Sequence, residues 1–314
     1  MATIPGSQFS ATASGQQLNF VTPPSGMSSP ANVPGAFNVE LVVGSIGSVP
    51  PLAPGAQGAA IISPSGLELD LVAGAFAITD NGGGSDTVSA YAGGETVTGG
   101  AAGVTLNLFG NGDVAQGGAG SDTINVYGNS DSVTGGTGND TINVGGTGST
   151  VTGGSGNAAV NLVGPSNMFF GASGNATVSA AGNFDTVSSG SGSELIGVVG
   201  AHDLVNLGTG SDTVDVVGAN DTVTSGAGTG AGSAVVNLFG TNTTLTDGPS
   251  VYADTVVGFD QAAGDRIHLT TDTVTNALAH STQVNGGADT LVTLHDGSTI
   301  LLKGVTHIDG SFFS

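Results

Sequence analysis

The stretch Gly117-Gly-Ala-Gly-Ser-Asp-Thr-Ile-Asn125 returns eighteen residues later as Gly135-Gly-Thr-Gly-Asn-Asp-Thr-Ile-Asn143. The apolar residue two places after the Asp sets a phase that extends in steps of nine. It reads Val88, Val97, Leu106, Ala115, Ile124, Val133, Ile142, Val151, Val160, Phe169, Val178, Val187, Ile196, Val205, Val214 and Val223. All sixteen are apolar and no insertion breaks the count. With 38% apolar residues in the chain, chance would give such a run on the order of once in a million. The neighbours of this position are mostly polar, as in Thr123 and Asn125, Thr150 and Thr152, or Thr222 and Thr224. Alternation along a strand turns the apolar residue inward and its neighbours outward.

Nine residues suffice for a short strand and a tight turn, so two units close one coil of eighteen. The period predicts an all-β fold, a parallel β-roll or β-solenoid whose coils bury their apolar residues against one another. A β-rich cap is expected after it. Glycine fills the turns, where the chain must adopt positive φ. One row of turns is glycine-rich: Gly84-Ser-Asp86, Gly120-Ser-Asp122, Gly138-Asn-Asp140 and Gly210-Ser-Asp212. That row loses its Asp at Val104, Ala158, Ala176 and Glu194. The other row is shorter, with Asp131, Asp185, Asp203 and Asp221, and it degenerates at Ser149 and Asn167.

Composition agrees with a thin, layered core. Glycine accounts for 57 of 314 residues, and Trp and Cys are absent. Stacked small and β-branched side chains must supply the packing, without disulfides. The formal charge is −22, with Arg266 and Lys303 the only basic side chains besides histidine. Nucleic acid is a poor partner for such a chain, and so is an anionic membrane surface. Carboxylates at this density oppose compaction unless something neutralises them, so a divalent cation is expected. No apolar run is long enough to span a membrane. The start, Met1-Ala-Thr-Ile-Pro-Gly-Ser, lacks a Sec-type pattern, so export would need another address.

Three regions follow from these patterns. Residues 1–60 hold one charge, Glu40, and most of the prolines, and read as an N-terminal arm. Residues 61–229 read as the solenoid. Residues 230–314 read as the cap, after a slip in register between Gly226 and Gly232. Strand signals in the cap include Thr290-Leu-Val-Thr-Leu294 and Thr299-Ile-Leu-Leu302.

The pattern Gly-Gly-x-Gly-x-Asp-x-(apolar)-x resembles the repeat of RTX proteins, the hemolysin-type calcium-binding family. The period matches over roughly residues 80–225, but the complete motif occurs in two units only. The resemblance implies Ca²⁺ held between same-side turns of successive coils by Asp carboxylates and turn carbonyls. Ca²⁺ is a hard ion that takes six to eight oxygen ligands. Carried over by position, the carboxylate ligands are Asp122 and Asp140. The carbonyl donors come from Gly117, Gly118 and Gly120 and from Gly135, Gly136 and Gly138. Asp86 and Asp212 match the motif but lack an intact neighbouring turn. The competing reading makes each Asp a cap that bonds the turn backbone. Ala253–Leu269 and Asp289–Val305 also resemble the segments that close RTX rolls. The ending Ile308-Asp-Gly-Ser-Phe-Phe-Ser314 resembles their type I secretion signals.

Catalysis finds little support in the sequence. The five histidines show no metal-ligand spacing, and no serine sits in a nucleophile elbow. The expectation is a non-enzymatic, secreted, calcium-binding structural protein at or beyond the cell surface. It would form a homo-oligomer or polymer: a filament, surface layer or biofilm matrix. An adhesin binding cell-surface glycan is the first alternative. An ice-binding solenoid is the second, because outward Thr-x-Thr pairs recur, although Val114/Gln116, Met168/Phe170 and Leu204/Asn206 interrupt them.

Overall fold

The computed structural model describes strands at 9–13, 16–21, 37–43, 58–62, 68–71 and 77–80, and residues 85–226 and 232–314 continuously. Side chains are described for 78–80, 85–226 and 232–314. The proline clusters at 23–24 and 50–51, Gly84, and the slip at 227–231 lie outside the described residues. Among these the chain is nearly all β, with parallel strands stacked about eighteen residues apart as a β-solenoid. It forms two compact units, 1–149 and 150–314.

In the first unit two sheets face each other. One stacks Thr87–Ala90, Thr105–Phe109, Thr123–Tyr127 and Asp140–Gly145 in parallel, so that Val88, Leu106, Ile124 and Ile142 lie in one column. The other stacks Thr96–Thr98, Val114–Gly118 and Ser132–Gly136, aligning Val97, Ala115 and Val133. These seven residues are at most 1% exposed, so the apolar phase read from the sequence is the core. Each is worth roughly 1–3 kcal/mol of burial, less for Ala115. A second buried column, Ala90, Leu108, Val126 and Val144, lies further along the first sheet. The facing sheet carries Gly99, Gly117 and Gly135 at its matching inward position. Bulk on one side is thus met by glycine on the other, which keeps the coil thin.

Outside the first sheet, the side chains form ladders. Asn125 donates to Asn107 and Asn143 to Asn125, both at 2.9 Å. Tyr91, Phe109 and Tyr127 stack face to face with centroids 5.1 and 5.4 Å apart. Nearer the amino terminus, Phe9–Ala13 pairs antiparallel with Gln16–Val21, which pairs parallel with Phe37–Val43 and through it with Gly58–Ile62.

The second unit repeats the plan. One sheet runs Ala158–Val163, Ala176–Ala181, Leu195–Ala201, Ser211–Ala219, Gly232–Leu238 and Tyr252–Val257. The other runs Thr150–Gly154, Met168–Phe170, Thr186–Ser188, Leu204–Asn206, Thr222–Ser225, Thr244–Asp247 and Arg266–His268. Stacking continues past Val223 with longer connections. Val214 pairs with Val236 and Leu245 with Ile267, 22 residues on, and Val236 pairs with Val256, 20 on. Thr299–Lys303 then adds in parallel, and Asp289–Thr293 and Ser281–Val284 close the sheet antiparallel. A short helix, Val274–Ala279, is capped by Thr273, whose hydroxyl accepts the Asn276 N–H at 3.2 Å. Lys303 bonds Asp289 at 2.6 Å, and Gly304 N–H donates to the same carboxylate at 2.9 Å. Those bonds hold the Asp289 carboxyl down at about 2.

Candidate metal centre

The turn aspartates point inward, two residues ahead of the buried column, and they connect coils. In the first unit, Asp122 Oδ1 accepts the Val104 N–H at 2.8 Å and Asp140 Oδ1 accepts the Asp122 N–H at 3.0 Å. In the other turn row, Glu95 N–H donates to Asp113 and Asp113 N–H to Asp131, both at 2.9 Å. Ser149 keeps the pattern, its Oγ accepting the Asp131 N–H at 3.2 Å. The second unit continues the rule with Asp185, Asp203 and Asp221, and with Asp212 accepting from Glu194. Where connections lengthen, Asp254 and Asp265 still accept from Ala234 and Thr243 at 2.9 Å. Each carboxylate therefore caps the turn of the coil before it, as the cap reading requires.

The cap engages one oxygen. Oδ2 of Asp113, Asp122, Asp131, Asp140, Asp185, Asp203 and Asp221 is buried without a hydrogen-bond partner. An ionised carboxylate in that state is costly, so its charge calls for a proton or a cation. Burial pushes the Asp122 carboxyl up to about 6, with Asp140 and Asp80 adding repulsion against the bond from Val104. Asp203 also rises to about 6, through burial and then the charges of Asp221 and Asp185. Asp131, Asp140, Asp185 and Asp221 are raised by burial as well. Glu95 rises to about 7 through burial and its neighbour Asp113.

Glycines shape the space around the free oxygens. A Cβ at Gly117 would lie 2.2 Å from the Gly135 carbonyl oxygen and 2.3 Å from Asp122 Oδ2. Those two oxygens face one small volume that any side chain at 117 would fill. Gly118 and Gly136 follow with φ of +112° and +119°. The Gly118 carbonyl accepts the Thr137 N–H at 2.9 Å and keeps a second lone pair. Gly138 stacks on Gly120, a Cβ there falling 1.6 Å from its carbonyl oxygen.

The structure therefore brings Asp122, Asp140, Gly117 and Gly135 to one edge of the first unit. Asp86 is buried, and its main-chain oxygen accepts the Thr105 N–H at 2.8 Å. Asp212 has both oxygens engaged, by Glu194 N–H at 3.0 Å and by the Ser189 hydroxyl at 2.9 Å, so it offers a cation less. Among the described residues no three His, Cys, Asp or Glu side chains converge as a metal cluster. A cation here would need main-chain oxygens beside the carboxylates, which hard ions accept.

The second turn row, shorter and outside the complete motif, carries the same free oxygens. Its turn differs: the residue before the Asp is left-handed, with φ of 61° to 62° at Ser130, Phe184, His202 and Asn220. The recurrence of Asp at one phase every eighteen residues was the signal for it. No family model and no curated protein matches the chain.

Proposed function

We propose that the chain is a calcium-dependent extracellular structural protein of RTX type that assembles with copies of itself into a filament, surface layer or matrix. The observation that carries the calcium reading is the free, buried Oδ2 of Asp122 and Asp140, with the Gly135 carbonyl facing the same space as Asp122 Oδ2 beside Gly117. The residues fit the ion in chemistry: all donors are oxygen, and the local charge is negative. Asp122 and Asp140 would hold it with carbonyls of Gly117, Gly118 and Gly120 and of Gly135, Gly136 and Gly138. Bound Ca²⁺ supplies the positive charge that the buried carboxylates lack. Folding then becomes linked to external calcium by mass action. Assembly is supported by the composition of the chain, nearly all repeat and cap, and by the apolar side chains left on its outer faces.

Thermal unfolding of the full chain, followed by circular dichroism in calcium and in excess chelator, tests this reading. The melting temperature is expected to fall by ten degrees or more on chelation, a loss of roughly 2–4 kcal/mol. Asp122→Asn with Asp140→Asn should reduce calcium uptake and shrink that difference. An unchanged melting curve on chelation would sink the calcium reading.

A further inference from the structure

We infer that the outer face of the second unit's first sheet is a lateral contact for a second copy of this chain, an inference that rests on the assembly reading above. Val163, Ala181, Val199 and Val217 follow one another in register, one per coil, and Phe239 continues the column one residue past the Val216–Leu238 pair, its N–H donating to the Val216 carbonyl at 2.8 Å. Val163, Val199 and Phe239 are 50%, 51% and 64% exposed, and Val217 is 38% exposed. Ala181 leaves a notch between the first two valines. The result is a straight apolar ridge with knobs about 4.8 Å apart, the strand spacing of a sheet.

The columns beside the ridge are nearly uncharged. The next outward column reads Asn161, Ser179, Gly197, Asp215 and Asn237, and its one carboxylate takes a bond from Asn237 at 2.7 Å. This neutral strip belongs to a chain of charge −22. A partner rich in Lys and Arg would be drawn to acidic surfaces elsewhere rather than to the strip. A copy of this chain, with two basic side chains in all, has no such competing attraction. It also presents apolar knobs at the identical repeat, so two ridges related by a two-fold axis interdigitate along their whole length. Side chains at these exposures, one per coil, offer far less than the roughly 800 Å² per partner of a stable interface. That suits a weak contact repeated in an assembly rather than a tight isolated dimer.

The test uses the full chain in calcium at increasing concentration, followed by sedimentation and electron microscopy. Val199→Asp with Val217→Asp should raise the concentration needed for association at least about tenfold, since apolar burial is lost. Val199→Thr with Val217→Thr should raise it less, and the threonines keep the β-branched shape of the strand. Thr186→Asp with Thr222→Asp, on the other sheet of the same unit, should associate as the wild type does. Circular dichroism checks that each variant melts normally, and the threonine pair decides the matter if the aspartate pair does not fold. Association of the Val199/Val217 variants at wild-type concentrations overturns the ridge and leaves the assembly reading standing. An equal loss in both aspartate pairs also overturns it, since charge alone would then be the cause. A wild type that stays monomeric overturns the assembly reading and the ridge with it.

Discussion

Gly117 shows how much one residue decides in a thin coil. Its missing side chain leaves room for Asp122 Oδ2 and the Gly135 carbonyl at once. Gly117→Ala should cost roughly 1–3 kcal/mol through forced displacement of those groups. Gly197→Ala should cost almost nothing, because a Cβ there meets only one atom, at 4.0 Å. Chemical denaturation of the two variants gives the comparison. Glycine at 117 reads in the sequence as a turn residue. Its inward position appears only when the strand is seen to run to Gly118. The Asp122 and Asp140 positions were legible from the repeated motif. Their hydrogen bonds to the preceding coil were not, since no local pattern records a partner eighteen residues back.

Among the elements, many turns carry a buried carboxyl, and at Glu95, Asp122, Asp131, Asp140, Asp185, Asp203 and Asp221 burial resists its ionisation. The sign of the pH effect follows. Asp122 and Asp203 sit near 6 and Glu95 near 7, against ordinary values of 3.8 and 4.5. The folded chain therefore binds more protons than the unfolded chain between about pH 4 and 7, and its stability falls as pH rises through that window. Below pH 4 the lowered carboxyls act oppositely, Asp289 at about 2 losing its bonds as it protonates. Without calcium, the melting temperature should peak near pH 4–5 and decline toward pH 8. With calcium, the decline should flatten. Melts across pH with and without chelator measure both. The apolar column was legible strand by strand because it recurs every nine residues. The strands Tyr252–Val257 and Arg266–His268 escaped that count because their connections lengthen the step to 20 and 22. Pairing tolerates longer loops that a fixed period cannot follow.

For the whole molecule, the repeat makes coil number a variable separable from coil structure. Deleting residues 105–122 places Asp140 eighteen positions after Val104, so the Val104 N–H finds an equivalent acceptor. Tyr91 would then stack on Tyr127 in place of Phe109. In excess chelator such a variant should stay folded, with a melting temperature within a few degrees of wild type, whereas the loss of Asp122 should shrink its gain in stability on adding calcium. Deleting nine residues, 114–122, shifts following strands to the opposite sheet. It sets bulky columns where glycine is needed, and should unfold the first unit. Circular dichroism separates the two. The solenoid is legible in the sequence because periodicity is a global signal, but its parallel stacking runs past residue 229, through Tyr252–Val257 and Arg266–His268. The ridge from Val163 to Phe239 does not, because valines read as core residues until burial shows which face them outward.

The bonds from each aspartate to the coil before it give the stack a direction. Within each unit the turn carboxylates Asp122, Asp140, Asp203 and Asp221 face backward along the chain, and the N–H that Oδ1 of each receives comes from the coil nearer the amino terminus. The two ends of a growing stack are therefore chemically unlike. One offers waiting acceptors and the other waiting donors. A coil added on the amino-terminal side meets a prepared anion, whereas one added on the carboxyl-terminal side must bring its own. Each unit has an arrowhead at the scale of a single turn, and any process that builds or peels a unit one coil at a time proceeds differently from its two ends.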